Sequence, residues 1–259
     1  MRGNWLAMRS WRRALVALAA VVVLGGCGGD EEAEPTATSE PVTTPTVASA
    51  ALPAPPAGPG TPIPNDGDVA SGCWQEGQRT SDGRQPLQWT APPAPVIDPA
   101  RQYTATLQTS QGAITVQLLP SLSPGTVNNF VCLARAGYYA DVPFHRIIQG
   151  FVIQGGDPTG SGSGGPGYEF ADEPVPVPYE AGMLAMANAG PDTNGSQFFI
   201  ILGGGAAQLQ PLYNLFGRVV GGQEVVDAIA AVPVGPSQRG EPSVPRQPVT
   251  LQQVTIAAH

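Results

Sequence analysis

The stretch Phe144-His-Arg-Ile-Ile-Gln-Gly-Phe-Val-Ile-Gln-Gly-Gly-Asp157 sets one permanent charge, Arg146, among Phe144, Ile147, Ile148 and Phe151. A lone guanidinium in apolar surroundings is costly unless it is paired or hydrogen-bonded. Arginine keeps its charge and carries its N–H donors in a flat fork. Arg146 is therefore either a structural residue bonded to backbone carbonyls or a fixed donor facing an apolar groove. His145 precedes it on an extended segment, where neighbours point to opposite faces. It is expected to be a packed, hydrogen-bonded residue rather than a general base.

On the N-terminal side, Tyr103–Thr109 and Ile114–Leu118 alternate around Ser110-Gln-Gly112 and predict a β-hairpin. Ser123-Pro124 then reads as the N-cap and first turn of a helix. Val127, Phe130, Val131 and Ala134 form its apolar face, and Gly137 ends it. On the C-terminal side, short apolar runs alternate with Gly-rich turns: Phe151-Val-Ile, Met183–Met186, Phe198–Leu202 and Leu215–Val220. A second helix is predicted over Gln223–Ala230, with Val225, Val226 and Ile229 on one face, and a last strand over Val249–Ile256. Many short strands and two isolated helices predict a mostly-β chain, a closed antiparallel barrel capped at its ends.

A second run, Met186-Ala-Asn-Ala-Gly-Pro-Asp-Thr-Asn-Gly-Ser-Gln-Phe-Phe-Ile200, and Leu215-Phe-Gly-Arg218 follow in order. With the first run they closely resemble the cyclophilin family of peptidyl-prolyl cis/trans isomerases, over roughly residues 101–257. The resemblance implies an eight-stranded closed antiparallel barrel with two capping helices, and a reaction that needs no cofactor and no metal. It makes Arg146 the catalytic arginine, Gln154 the residue that orients it, and Phe199 the floor of a proline pocket. Phe151, Val152 and Leu209 complete that pocket. Ala187, Asn188 and Ala189 supply backbone to an extended substrate, and Gln197 and Gly162 line the neighbouring surface. Val152 stands where the family commonly has Met, Tyr213 where many members carry His, and Gln208 where a Trp is usual. A binding module that holds Pro-containing segments without catalysis is the competing function, although binding alone does not require the guanidinium.

The chemistry suits these residues. Rotation about an X-Pro bond faces a barrier of ~18–20 kcal/mol because the nitrogen lone pair is delocalised. Rotation returns that pair to nitrogen, so a catalyst needs an apolar slot for the ring and a donor that favours the twisted amide. The chain contains no lysine, which excludes Schiff-base, P-loop and Ser-Lys chemistry. No His/Cys cluster has metal-ligand spacing. Gly160-Ser-Gly-Ser-Gly-Gly165 fits a dinucleotide fingerprint, but Pro166-Gly-Tyr-Glu-Phe170 is a poor helix start, so a loop beside the groove is expected.

The first residues read as an address. Arg2, Arg9, Arg12 and Arg13 precede the apolar run Ala14–Leu24, which ends in Leu24-Gly-Gly-Cys27. That pattern predicts a signal peptide over 1–26 and resembles a bacterial lipobox with Cys27 as the lipidated residue. An incidental Cys after a plain secretory signal is the other reading. Residues 28–72 hold no aromatic and no Arg and are rich in Pro, Ala and Thr, so 27–72 is expected to be a disordered tether. An irregular lead-in over 73–100 and the isomerase domain over 101–257 follow. The protein is thus expected outside the cytoplasm, held to the bacterial cell membrane by its N-terminal lipid alone, a monomer acting on Pro-containing polypeptides. With the four leading arginines removed, 8 basic residues face 20 acidic ones, and nucleic acid is not expected as a partner. Cys73 and Cys132 would then either form a disulfide, as expected in an oxidising compartment, or remain a free thiol and a buried one.

Overall fold

The computed structural model describes residues 51–65, 72–80 and 87–259. The predicted signal peptide, Cys27 and residues 27–50 and 66–71 of the predicted tether lie outside them. The hairpin forms where alternation demands it. Strands β2 (Tyr103–Thr109) and β3 (Gly112–Leu118) pair from Tyr103 opposite Leu118 to Thr109 opposite Gly112. Tyr103, Ala105 and Leu107 turn inward, and Ile114, Val116 and Leu118 meet them from β3.

Helix α1 (Pro124–Arg135) has Pro124 in its first turn and the predicted face buried. Its cap differs from the expectation. Ser123 makes no capping bond; it is fully buried and its hydroxyl donates to the Leu215 carbonyl at 2.9 Å. The free amides of Gly125 and Thr126 donate instead to the Glu173 carboxylate, both at 2.9 Å. An anion there also complements the helix dipole, a contribution of about 1 kcal/mol. Helix α2 (Gln223–Ala230) buries Val225, Val226 and Ile229, as predicted.

The remaining strands are short. They are β4 (Val142–Pro143), β5 (Arg146–Ile148), β6 (Val152–Gly155), β7 (Met183–Met186), β8 (Phe198–Ile201) and β9 (Leu215–Gly221). The hairpin β10 (Val234–Pro236) with β11 (Pro242–Pro245) precedes the last strand, β12 (Thr250–Ala258). One further strand, β1 (Thr61–Ile63), comes from the proline-rich segment. One antiparallel sheet runs β1-β12-β2-β3-β9-β7-β8-β6-β5, with β4 also on β12. The expectation of eight strands is therefore corrected, among the described residues, to ten in this sheet, plus the separate β10–β11 pair. Two causes account for the excess: β1 is recruited onto β12, and Phe144-His145 separates β4 from β5.

Recruitment of β1 also shortens the expected tether from its C-terminal part. Thr61–Ile63 pair with Ile256–Ala258. Gln117 donates its side-chain amide to the Ala54 carbonyl at 2.9 Å, and Arg218 donates to Pro53. Proline-rich backbone carries acceptors with few donors, and these two side chains supply donors to it.

The described residues between 72 and 100 are irregular but well packed. Trp74 and Trp89 stack at 4.2 Å within the core, and Cys73 is bridged to Cys132 of α1. Asn128 of α1 accepts from the Val96 amide at 2.8 Å and donates to the Ala94 carbonyl at 2.9 Å.

Strands β6, β7 and β8 are covered on both faces, which is why they read as continuous apolar runs. Ile153, Leu184, Met186, Phe198 and Ile200 join the main core. There the ring of Phe130 on α1 meets Phe198 edge-on at 5.7 Å and Phe216 at 5.2 Å. Their alternate neighbours Val152, Met183, Ala185, Phe199 and Ile201 form a second apolar cluster, with Phe151, Leu209 and Tyr213 packed against it. That second face carries the site.

Candidate active site

Register alone brings Arg146, Gln154 and Phe199 into one row. Arg146 lies opposite Gln154 across β5–β6, and Gln154 lies opposite Phe199 across β6–β8. The turn between β5 and β6 is tight, with Gly150 at φ +73° and the Phe151 amide bonded to the Ile148 carbonyl at 2.9 Å. Ile147 and Ile153 are fully buried in the core, so their neighbours in each strand face the other way.

A cavity of about 190 Å³ opens beside this row. Arg146, Phe151, Val152, Gln154, Ala187, Asn188, Phe199, Leu209 and Tyr213 line it. The rings of Phe199 and Tyr213 meet edge-on at 5.4 Å, and Tyr213 is fixed through its backbone: its carbonyl accepts from the Tyr179 hydroxyl at 2.7 Å. Nine of the residues assigned by resemblance thus meet in one small space, where Phe151, Val152, Ala187, Phe199 and Leu209 give apolar walls beside the polar Arg146, Gln154 and Asn188. The other three, Gly162, Ala189 and Gln197, line a larger adjoining cavity of about 770 Å³ that shares Gln154, Ala187 and Asn188. Asn188 ties its side chain to the Leu212 carbonyl at 2.9 Å.

A relay of side-chain amides links the two spaces. Arg146 Nη1 donates to Gln154 Oε1 at 3.3 Å, Gln154 Nε2 to Gln197 Oε1 at 3.1 Å, and Gln197 Nε2 to the Gly164 carbonyl at 2.9 Å. No sequence pattern points to Glu241. Its carboxylate accepts from Arg146 Nε at 2.8 Å and from Nη2 at 2.9 Å. The hydrogen bond from Arg146 holds the Glu241 carboxyl below its ordinary range. The need for a partner was legible at Arg146, but its identity was not, because Glu241 lies 95 residues away.

The Gly-rich loop is organised by a buried carboxylate and holds no helix. Asp157 accepts from the Thr159 amide at 2.8 Å, the Thr159 hydroxyl at 2.7 Å and the amides of Gly162 and Gly164 at 2.7 and 3.0 Å. Burial pushes its pKa up, but the Thr159 hydroxyl and these amides outweigh burial and leave it below the ordinary value. A group with a depressed folded pKa stabilises above its unfolded value and loses that contribution as pH falls through the folded one. Asp157→Asn is therefore expected to destabilise most at neutral pH, with the gap to wild type closing below about pH 4. Denaturant unfolding of both proteins at pH 7 and pH 3 checks it; an equal gap at both pH values contradicts it.

His145 corrects an expectation. It is packed, but neither buried ring nitrogen has a partner in good hydrogen-bond geometry, and the Pro143 backbone beside it only weakly opposes the effect of burial on its pKa. Burial lowers its pKa, so it is neutral near pH 7.

The family model for "Cyclophilin type peptidyl-prolyl cis-trans isomerase/CLD" matches residues 104–256. The chain belongs to the cyclophilin family. It is similar to peptidyl-prolyl cis-trans isomerase B of Streptomyces anulatus, 45% identical over 179 residues, covering 61% of this chain and 98% of that one. Peptidyl-prolyl cis-trans isomerase A of Mycobacterium tuberculosis is 43% identical over 181 residues, covering 61% and 94%. A crystal structure of a Cryptosporidium parvum cyclophilin superposes with TM-score 0.55 at 35% identity, covering 61% of this chain and 98% of that one. A second structure of that protein was determined in the presence of the dipeptide Ala-Pro, with TM-score 0.54 and 36% identity over 60% of this chain and 98% of that one. This cyclophilin is a peptidyl-prolyl cis-trans isomerase, with a mostly-β fold and two α-helices among the described residues.

Proposed function

We propose that the protein accelerates X-Pro rotation in exported polypeptides, with the proline ring in the 190 Å³ cavity and Arg146 as donor. The observation that carries this reading is the row Arg146–Gln154–Phe199, which sets a guanidinium in the same cavity as the apolar side chains of Phe151, Val152, Phe199 and Leu209. Phe199, Phe151, Val152 and Leu209 hold the ring out of water. Arg146 donates to the amide as its nitrogen regains the lone pair, a charge-assisted bond stronger in the twisted state than in the planar one. Gln154 orients the guanidinium. The backbone of Ala187–Ala189 pairs with the extended peptide, while Gly162 and Gln197 face the residues before the proline. Neither cofactor nor metal takes part. The relative studied with Ala-Pro supports a Pro-containing substrate.

A protease-coupled assay on a proline peptide tests the reading: the purified chain should accelerate cis-to-trans conversion. If it binds the peptide and leaves the rate unchanged, it is a binding module instead.

We further infer that the sheet closes into a barrel through Phe144 and His145, which join β4 on β12 to β5; the Phe144 amide donates to the Val249 carbonyl at 2.9 Å. The protein is a monomer anchored to the outer side of the bacterial cell membrane through lipidated Cys27. The basic start and the short apolar run before Cys27 support the anchor. Labelling with a radioactive fatty acid checks it: wild type should incorporate label and Cys27→Ala should not. Equal incorporation by both proteins refutes it.

A further inference from the structure

We propose that Glu241 is a positioning residue for the isomerisation: its carboxylate clamps the Nε/Nη2 edge of Arg146 and turns the remaining donors toward the substrate. The inference rests on the reading of Arg146 as the donor to the twisted amide.

A guanidinium has five N–H donors. Glu241 takes Nε–H and one N–H of Nη2, and Gln154 takes one N–H of Nη1. One donor on each terminal nitrogen remains. Three bonds from two partners fix the plane of the fork, so those two donors point in a set direction. Glu241 lines neither cavity, whereas Arg146 lines the smaller one. The carboxylate therefore holds the guanidinium from behind and does not occupy the slot.

Both ends of the clamp are anchored. Arg146 lies in β5, paired to β6. Glu241 closes the turn of the β10–β11 hairpin, where its carbonyl accepts from the Ser237 amide at 2.7 Å and the Gly240 amide bonds to Ser237 at 2.9 Å. Gly240 takes φ +81°, a conformation that favours glycine, and Ser243 just beyond is buried. Strand β11 packs against β5.

Folding alone gives a weak reason for the pair. Arg146 and Glu241 side chains are 32% and 38% exposed, and ion pairs at such positions contribute little to stability. An unclamped arginine spreads over many rotamers, which must be narrowed before the amide can be met in the right geometry. Arg239, on the same hairpin, lines the larger cavity and helps keep Glu241 ionised.

The test is steady-state isomerase kinetics on the full chain for wild type, Glu241→Gln, Glu241→Asp, Arg146→Ala and Arg146→Ala with Glu241→Gln. Glu241→Gln should lower kcat roughly tenfold with KM changed less than about twofold, because only the geometry of the donor is lost. Glu241→Asp should recover part of that loss. In the Arg146→Ala background Glu241→Gln should change nothing. An inactive wild type, or Arg146→Ala as active as wild type, sinks the functional reading itself. If those two behave as expected, the clamp fails on its own when Glu241→Gln keeps or raises kcat, or when it costs as much without Arg146. If Glu241→Gln does not fold, NMR of the wild type decides. The Arg146 Nε–H should exchange with water far more slowly than that of a fully solvated arginine, and an equal rate overturns the clamp.

Discussion

Arg146→Ala should lower kcat/KM by roughly a hundredfold to a thousandfold while the protein stays folded, the loss usual when one fixed donor is removed from a transition state. The fold should survive because the side chain is 32% exposed on the outer face of β5, while its neighbour Ile147 carries the core contact. Gln154 keeps its bond to Gln197, and Glu241 can turn to water. Arg146→Lys should fall between the two. An ammonium retains the charge, but cannot meet both oxygens of Glu241 and Gln154 with the same flat fork. Isomerase rates, with circular dichroism and thermal unfolding as controls, check the prediction. A loss below tenfold with an intact fold would count against Arg146 as the principal donor.

Loss of the Cys73–Cys132 bridge should destabilise the protein by about 4 kcal/mol. The bridge spans 59 residues, and tying such a loop removes much of the freedom of the unfolded chain. Replacing both cysteines by Ser should therefore shift the denaturant midpoint strongly. Thiol labelling of the unreduced, denatured wild type should find neither Cys73 nor Cys132 reactive. Two reactive thiols there, or a midpoint unchanged in the double variant, would refute the prediction. The Trp74–Trp89 stack and the Asn128 bonds keep further contacts between lead-in and α1, so part of that docking should persist in the variant.

Local chemistry was readable where local rules govern. Alternation over 103–118 specified its hairpin, and the apolar face of Gln223–Ala230 specified its helix. The walls of the small cavity were legible in part, because the runs Phe144–Asp157 and Met186–Ile200 supply seven of its nine lining residues. What escaped depended on distant partners. Ser123 reads as a cap, but a carbonyl on β9 took its hydroxyl and Glu173 took over the helix terminus. Residues 61–63 read as tether because they lie in a Pro-, Ala- and Thr-rich stretch, and no local pattern signals an edge on β12 ready to receive them. His145 reads as a residue with bonds to make, yet the packing around it leaves neither nitrogen a partner in good hydrogen-bond geometry. Glu241 sits in a polar turn that looks like ordinary solvated surface until β11 is folded against β5.

The pairing of β1 has one more effect. An open sheet edge is a template on which a second chain can extend the ladder, the first step toward aggregation. Along β12 that edge is occupied in pieces: β4 covers Thr250 and Leu251, the Asn65 side chain donates to the Val254 carbonyl, and β1 covers Ile256–Ala258. The new outermost strand is three residues long, and Pro62 at its centre, like Pro64 just after it, has no N–H to offer. The proline-rich segment thus acts as a plug, ending the sheet with a strand that a neighbouring molecule can barely copy.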